Sequence, residues 1–199
     1  MTLVTQNRFV IRDKGDDQEI WLLCEVQGRA RAIEQAEVNY EAFAYNCDEP
    51  LKCNSGMFKN HDSMYLYFKT PVSGYLSIFM LEDGLVYRLL PYAQMNSDFE
   101  SYVPVKADEI YHLFNPAYRN YFEGFPMVDE YGLTTYEDGE PLSNMIYVVF
   151  SPKPFQKPLL NQQDDLKYLE LIDFMEWLNQ NRGLDKDFQV KQFNIVIQN

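Results

Sequence analysis

The residues able to do chemistry are few and scattered: Cys24, Cys47, Cys53, His61, His112 and the neighbouring carboxylates Glu82 and Asp83. Cys53 and His61 are close enough in sequence to suggest a nucleophile pair, because a histidine beside a thiol can take its proton and leave a reactive thiolate. No oxyanion or orienting signature surrounds them, and the competing reading makes His61 a turn residue ahead of a strand. His112 falls inside a strand pattern, where it packs or faces water. Glu82 and Asp83 are consecutive turn residues whose carboxylates point differently, so a hairpin explains them better than a two-carboxylate hydrolase does. The run Asp13-Lys14-Gly15-Asp16-Asp17 gathers acids around a glycine but lacks the spacing and terminal glutamate of a calcium loop, which leaves a solvated turn. No HExxH, CxxC, GxSxG or phosphate loop is present, so neither metal nor cofactor is expected.

Binding residues are better represented than catalytic ones. Residues 115–142 form a long connection headed by Asn115-Pro116-Ala117-Tyr118-Arg119-Asn120-Tyr121-Phe122-Glu123-Gly124-Phe125-Pro126. Long loops on a rigid scaffold collect recognition residues, and Tyr and Arg dominate binding hot spots. Tyr118, Arg119, Tyr121, Phe122 and Phe125 are the candidate binding residues, suited to a protein or glycan surface if exposed together. The alternative is that these aromatics fold inward and cap the sheet. Cys47 and Cys53 flank a short loop and could close a disulfide in an oxidising compartment, leaving Cys24 as a buried thiol.

The elements that must carry these residues are mostly strands. After Gly74, the apolar run through Leu81 is too short and too β-rich for a surface helix. Glu82-Asp83-Gly84 supplies the turn, Gly84 can take a positive φ, and residues 85–90 return until Pro91 ends the ladder. Residues 102–105 and 110–114, separated by a polar stretch, read as the next pair. Residues 8–12 and 19–26 form an N-terminal hairpin. For residues 31–45, Ile33, Ala36, Tyr40, Phe43 and Ala44 share one helical face, which predicts a helix; the alternation of Val38, Tyr40, Ala42 and Ala44 makes a strand the runner-up. Near the other end, Asn161 caps a predicted helix over 163–181, stopped by Gly183, with Leu166, Leu169, Ile172, Met175 and Leu178 as one stripe and Tyr168, Leu171, Phe174 and Trp177 broadening it. That helix should be buried over most of its circumference, and residues 188–197 read as a final strand.

At this point the chain resembles a known family, the domain of unknown function numbered 4384. The matching blocks are Gly74-Tyr75-Leu76 with its apolar strand, the turn Asp83-Gly84, Leu89-Leu90-Pro91-Tyr92, the aromatic-ended Tyr111 to Phe114, and Val148-Val149-Phe150-Ser151 before Pro152. They cover residues 64–154 and extend toward the C-terminus. The resemblance implies a bacterial, often extracytoplasmic, β-rich module attached to varied larger proteins, and it transfers no catalytic residue.

With 199 residues, 46% hydrophobic and 24% charged, the chain can build one sizeable core: a single domain over 1–199, with 1–62 as an N-terminal addition to a family-like core at 63–199. The fold class expected is α+β, a mainly antiparallel sheet or sandwich covered by an N-terminal helix and a longer C-terminal one. A formal charge of -13 argues against nucleic acid and against an anionic membrane surface. There is no apolar run of about 18 residues or more and no signal-like start, so the literal reading is cytoplasmic; the resemblance points instead to a periplasmic or cell-surface protein whose signal has been removed. The functional expectation is a non-catalytic interaction module of the cell envelope that holds a protein or glycan. An acidic inhibitor or immunity-type protein is the alternative, and an uncharacterised hydrolase the further one.

Overall fold

Alternating apolar residues dictate strands through most of this chain, and the computed structural model shows fourteen of them with one α-helix among the described residues. Those residues are 4–14, 17–27, 38–53, 56–92, 95, 99, 101–118, 130–135, 139–163 and 166–199; for 4–27 the backbone alone is described. In chain order the strands are β1 (Val4–Lys14), β2 (Asp17–Gln27), β3 (Glu41–Tyr45), β4 (Met57–Lys59), β5 (Ser63–Lys69), β6 (Gly74–Glu82), β7 (Leu85–Leu90), β8 (Val103–Val105), β9 (Ile110–Leu113), β10 (Tyr131–Gly132), β11 (Leu142–Ser151), β12 (Asn161–Gln163), β13 (Leu166–Glu170) and β14 (Gln189–Gln198). Helix α1 spans Leu171–Leu184. The chain divides into two compact units, Met1–Glu34 and Gln35–Asn199. The first contains the antiparallel hairpin β1–β2, in register from Val4↔Gln27 to Lys14↔Asp17.

The second unit holds two sheets. The smaller joins β5 to β3 on one side and to β9 and β10 on the other. The larger runs β12-β13-β7-β6-β11-β14-β4, with β8 also on β6; only the β14–β4 pair is parallel. Each central strand of the larger sheet is apolar on both faces because both are covered. One face, carrying Leu76, Ile78, Ile146, Val148, Phe150, Ile195 and Ile197, packs against Ala42, Ala44, Met64, Leu66, Phe68, Tyr111 and Leu113 of the smaller sheet. The other, carrying Phe79, Val86, Tyr147 and Val149, packs against Phe174, Trp177 and Leu178 of α1. The arrangement is α+β, rich in sheet.

The β6–β7 hairpin follows its sequence closely. Asp83 (φ 48°) and Gly84 (φ 83°) form a two-residue turn with both central residues in the left-handed region, the combination whose twist suits antiparallel strands. Leu171 N–H donates to the Gly84 carbonyl at 3.2 Å, tying the start of α1 to this turn.

Tyr40 stitches the larger sheet. Its hydroxyl donates to the Val148 carbonyl at 2.6 Å and accepts from Lys191 N–H at 2.8 Å, thus engaging both members of a β11–β14 register pair. The ring lies 5.5 Å from both Phe68 and Phe150, and burial raises the phenol pKa. On the helix side, the segment between β11 and β12 is clamped at Gln156. Asn181 Oδ1 accepts its N–H at 2.9 Å, and Trp177 Nε1–H donates to its carbonyl at 2.7 Å.

Several expectations are corrected. The N-terminal helix is absent from the described part of its range: residues 41–45 are a strand, and residues 31–37 lie outside the described residues. The period-two pattern wins because pairing with β5 satisfies the backbone while Ala42 and Ala44 enter the core. Residues 103–105 and 110–113 do not pair with one another. The first joins β6 and the second joins β5, so the polar stretch between them carries the chain from one sheet to the other. The C-terminal helix begins later than predicted, since residues 161–163 and 166–170 are strands; Asn161 is no cap, and Gly183 lies within the last turn. Its buried stripe is Phe174, Trp177, Leu178 and Asn181, spaced as one helical face, whereas Ile172 (74%) and Met175 (38%) are exposed.

Candidate binding face of the smaller sheet

Alternation along β3, β5 and β9 sends one set of side chains to the core and leaves Phe43, Tyr45, Tyr65, Tyr67 and His112 on the opposite face. Register then decides who meets whom. Phe43 opposes Tyr67, and their rings stack at 4.7 Å and 8°. Tyr67 opposes His112 edge-on at 5.8 Å. Tyr45 opposes Tyr65 at 5.5 Å and stands edge-on to His112 at 5.9 Å. The result is a continuous aromatic row across three strands, outside both hydrophobic cores.

The chain beyond β9 turns back over this row. Phe114 has φ 63°, a left-handed conformation that costs a non-glycine residue about 1–2 kcal/mol. Burial of its ring beside Tyr131 (4.7 Å) and Tyr92 (5.8 Å) offsets that cost. The bend brings Asn115 and Tyr118 onto the sheet. Asn115 Oδ1 accepts the Ala117 N–H at 3.0 Å, and the Asn115 carbonyl accepts the Tyr118 N–H at 3.0 Å. The Asn115 amide nitrogen then faces the Tyr45 hydroxyl at 3.4 Å, and that oxygen is 2.8 Å from His112 Nδ1. Tyr118 stacks on the imidazole at 4.2 Å and 28°.

Electrostatics follow from enclosure. Tyr45 is only 1% exposed, and burial above all pushes its phenol up to about 12. Tyr67 is raised chiefly by burial, with Glu41 adding to the effect. Burial lowers the His112 pKa, which favours neutral imidazole. Tyr118 stays 42% exposed. Tyr67 is buried as well, so the members of the row that reach solvent are Phe43, Tyr65, His112 and Tyr118; Tyr45, buried and with its pKa raised, is a poor nucleophile.

Of the candidate binding residues, Tyr118 sits at this face, while Arg119, Tyr121, Phe122 and Phe125 lie outside the described residues. Phe43, Tyr45, Tyr65, Tyr67 and Asn115 were not singled out by sequence. The available signal was the aromatic at every second position in EAFAY and SMYLYFK, on the face where a half-buried strand is ordinarily polar. Cys47 and Cys53 are joined as a disulfide, so Cys53 has no thiolate to pair with His61, which occupies a turn at φ 70°. Glu82 is raised by burial and, less, by Asp83. Among the described residues no group of three or more His, Cys, Asp or Glu side chains is placed to hold a metal ion, and no helix is long and apolar enough to cross a membrane. No family model, curated protein or solved structure matches the chain.

Proposed function

We propose that the unit spanning 35–199 is a non-catalytic interaction module that meets a protein or glycan partner through the aromatic row of its smaller sheet. The observation that carries this reading is Tyr118, exposed yet held in a fixed stack on His112. A large ring pre-ordered at a solvent boundary gives contact area with little entropy left to lose. The Cys47–Cys53 bond and the resemblance to domain family 4384 support placement in the bacterial cell envelope, where disulfides persist. The Glu82–Asp83 and Cys53–His61 pairs do not supply a hydrolase site, being a turn pair and a cysteine held in a disulfide. An inhibitor of a basic partner is the second reading, favoured by the charge of -13.

Retention of wild-type and Tyr118→Ala chains on immobilised glycans and on envelope-protein extract tests the proposal. Loss of retention in the variant, with an unchanged circular dichroism spectrum, is the expected result. Equal retention by both chains, or retention abolished by moderate salt alone, overturns it in favour of the acidic inhibitor.

A further inference from the structure

We infer that a corner of the larger sheet, built from Met80, Glu82, Tyr87, Asn144 and Tyr168, receives a guanidinium group, the arginine side chain of a basic partner protein. The corner lies apart from the aromatic row of the smaller sheet, and the inference does not rest on that row. Its basis is a set of acceptors that converge without a donor to meet them.

Register places them. Met80 pairs with Ile146 across β6–β11 and with Tyr87 across β6–β7, and Tyr87 pairs with Tyr168 across β7–β13, so these side chains leave one face of the sheet. One step beyond the Met145↔Leu81 pair, Asn144 comes level with Glu82 on that same face, beside the Asp83–Gly84 turn. Arg88 and Lys167, the cations of β7 and β13, alternate with Tyr87 and Tyr168 and belong to the opposite face.

The acceptors at this corner are short of donors. Asn144 is 2% exposed; its Nδ2 donates to the Met80 sulfur at 3.8 Å, a weak contact, and among the described residues nothing donates to its Oδ1. Native proteins seldom leave such an oxygen bare. The Glu82 carboxyl is raised by burial first and by Asp83 second, and no positive charge offsets them. Burial also raises the Tyr87 phenol, with the charges of Glu82 and Asp83 adding to it, so carboxylate and phenol stand close. The Tyr87 and Tyr168 rings lie 6.2 Å apart.

A guanidinium suits this set better than an ammonium does. Its planar fork carries five N–H donors, enough to serve the Glu82 carboxylate and the Asn144 oxygen together, and its plane stacks on an aromatic face. A lysine ammonium has three donors and no plane to stack. Met80 lies against the Asn144 amide as a cover; unbranched and with three rotatable bonds, it can swing aside to admit the incoming group. The net charge of -13 draws a basic partner toward the surface, and this corner gives one of its side chains a fixed seat.

Titration of the whole chain with a capped glycine–arginine–glycine peptide, followed by nuclear magnetic resonance, tests the site. The Asn144 side-chain amide and the Tyr87 and Tyr168 rings should shift together and saturate in the millimolar range. The same peptide with citrulline, which keeps the shape and loses the charge, should leave them in place, and the lysine peptide should bind about fivefold more weakly or worse. Glu82→Gln removes an unpaired part-buried charge and so should fold at least as well as the wild type, yet bind the arginine peptide about tenfold more weakly. No saturable shift at those three residues, equal shifts with citrulline, lysine binding as tightly as arginine, or undiminished binding by Glu82→Gln each overturns the inference.

Discussion

Gly74 lies directly against Phe150 where β6 passes β11. A Cβ placed on Gly74 would meet the Phe150 ring at 2.7 Å and the Ser151 carbonyl oxygen at 2.5 Å. The ring could turn aside, but the carbonyl belongs to the backbone of the central sheet and cannot.

Gly74→Ala should therefore destabilise the 35–199 unit by about 1–3 kcal/mol, the usual cost of overpacking. Urea unfolding checks this. Adding Phe150→Leu should recover only part of the loss, because the clash with the Ser151 oxygen remains.

Asn181→Leu keeps volume in the helix-side core but leaves the Gln156 N–H without its partner. The loss should be about 0.5–1.5 kcal/mol, the net worth of a hydrogen bond at a part-buried position. Trp177→Phe should be damaging in its turn by stripping the Gln156 carbonyl of its donor. A double-mutant cycle between the two should show non-additivity, since both side chains fix one peptide.

Stability should fall on mild acidification. His112 in the folded chain has a pKa below its ordinary 6.5, so the unfolded chain binds the proton first. The stability present above 6.5 is lost as pH drops below that value, until the folded-state pKa is passed. Thermal melts over this window should show the slope in the wild type and a reduced slope in His112→Phe.

Glu82 should behave in the opposite sense. Burial, helped by the Asp83 charge, raises its folded pKa above 4.5, so the native state is penalised as pH rises above that value. Glu82→Gln should raise the melting temperature at neutral pH, and the gain should vanish below the unfolded-state value. A melt at each pH decides it.

The Cys47–Cys53 bond closes a short loop, with a sequence separation of 6. Replacing both with Ser should cost about 2 kcal/mol through the unfolded chain's regained freedom. Comparing melts with and without reductant measures the same quantity in the native sequence.

Much of the larger sheet was legible because local chemistry and tertiary need agree there: the Asp83-Gly84 turn and the apolar runs around it permit little but a hairpin. Residues 38–45 carried two periods at once, and the choice lay with β5, twenty-odd residues downstream. Leu166 and Leu169 continued the spacing of α1, yet β12 pairs with the first and β7 with the second, so the helix starts only where Leu171 reaches Gly84. At the candidate site Tyr118 could be named from composition. Tyr45 and His112 could not be joined, because they are 67 residues apart and meet only through strand register.

Tyr40 also bears on the order in which the molecule assembles. Its hydroxyl waits for carbonyl and amide groups 108 and 151 residues away, so it can engage only after β14 has settled beside β11. Contacts so distant in sequence make for slow folding. Until they form, β11, with its run of Ile, Tyr, Val and Phe, is an open edge on which another chain could pair. The tyrosine thus serves as a late bolt, and the interval before it closes is the protein's period of greatest exposure to aggregation.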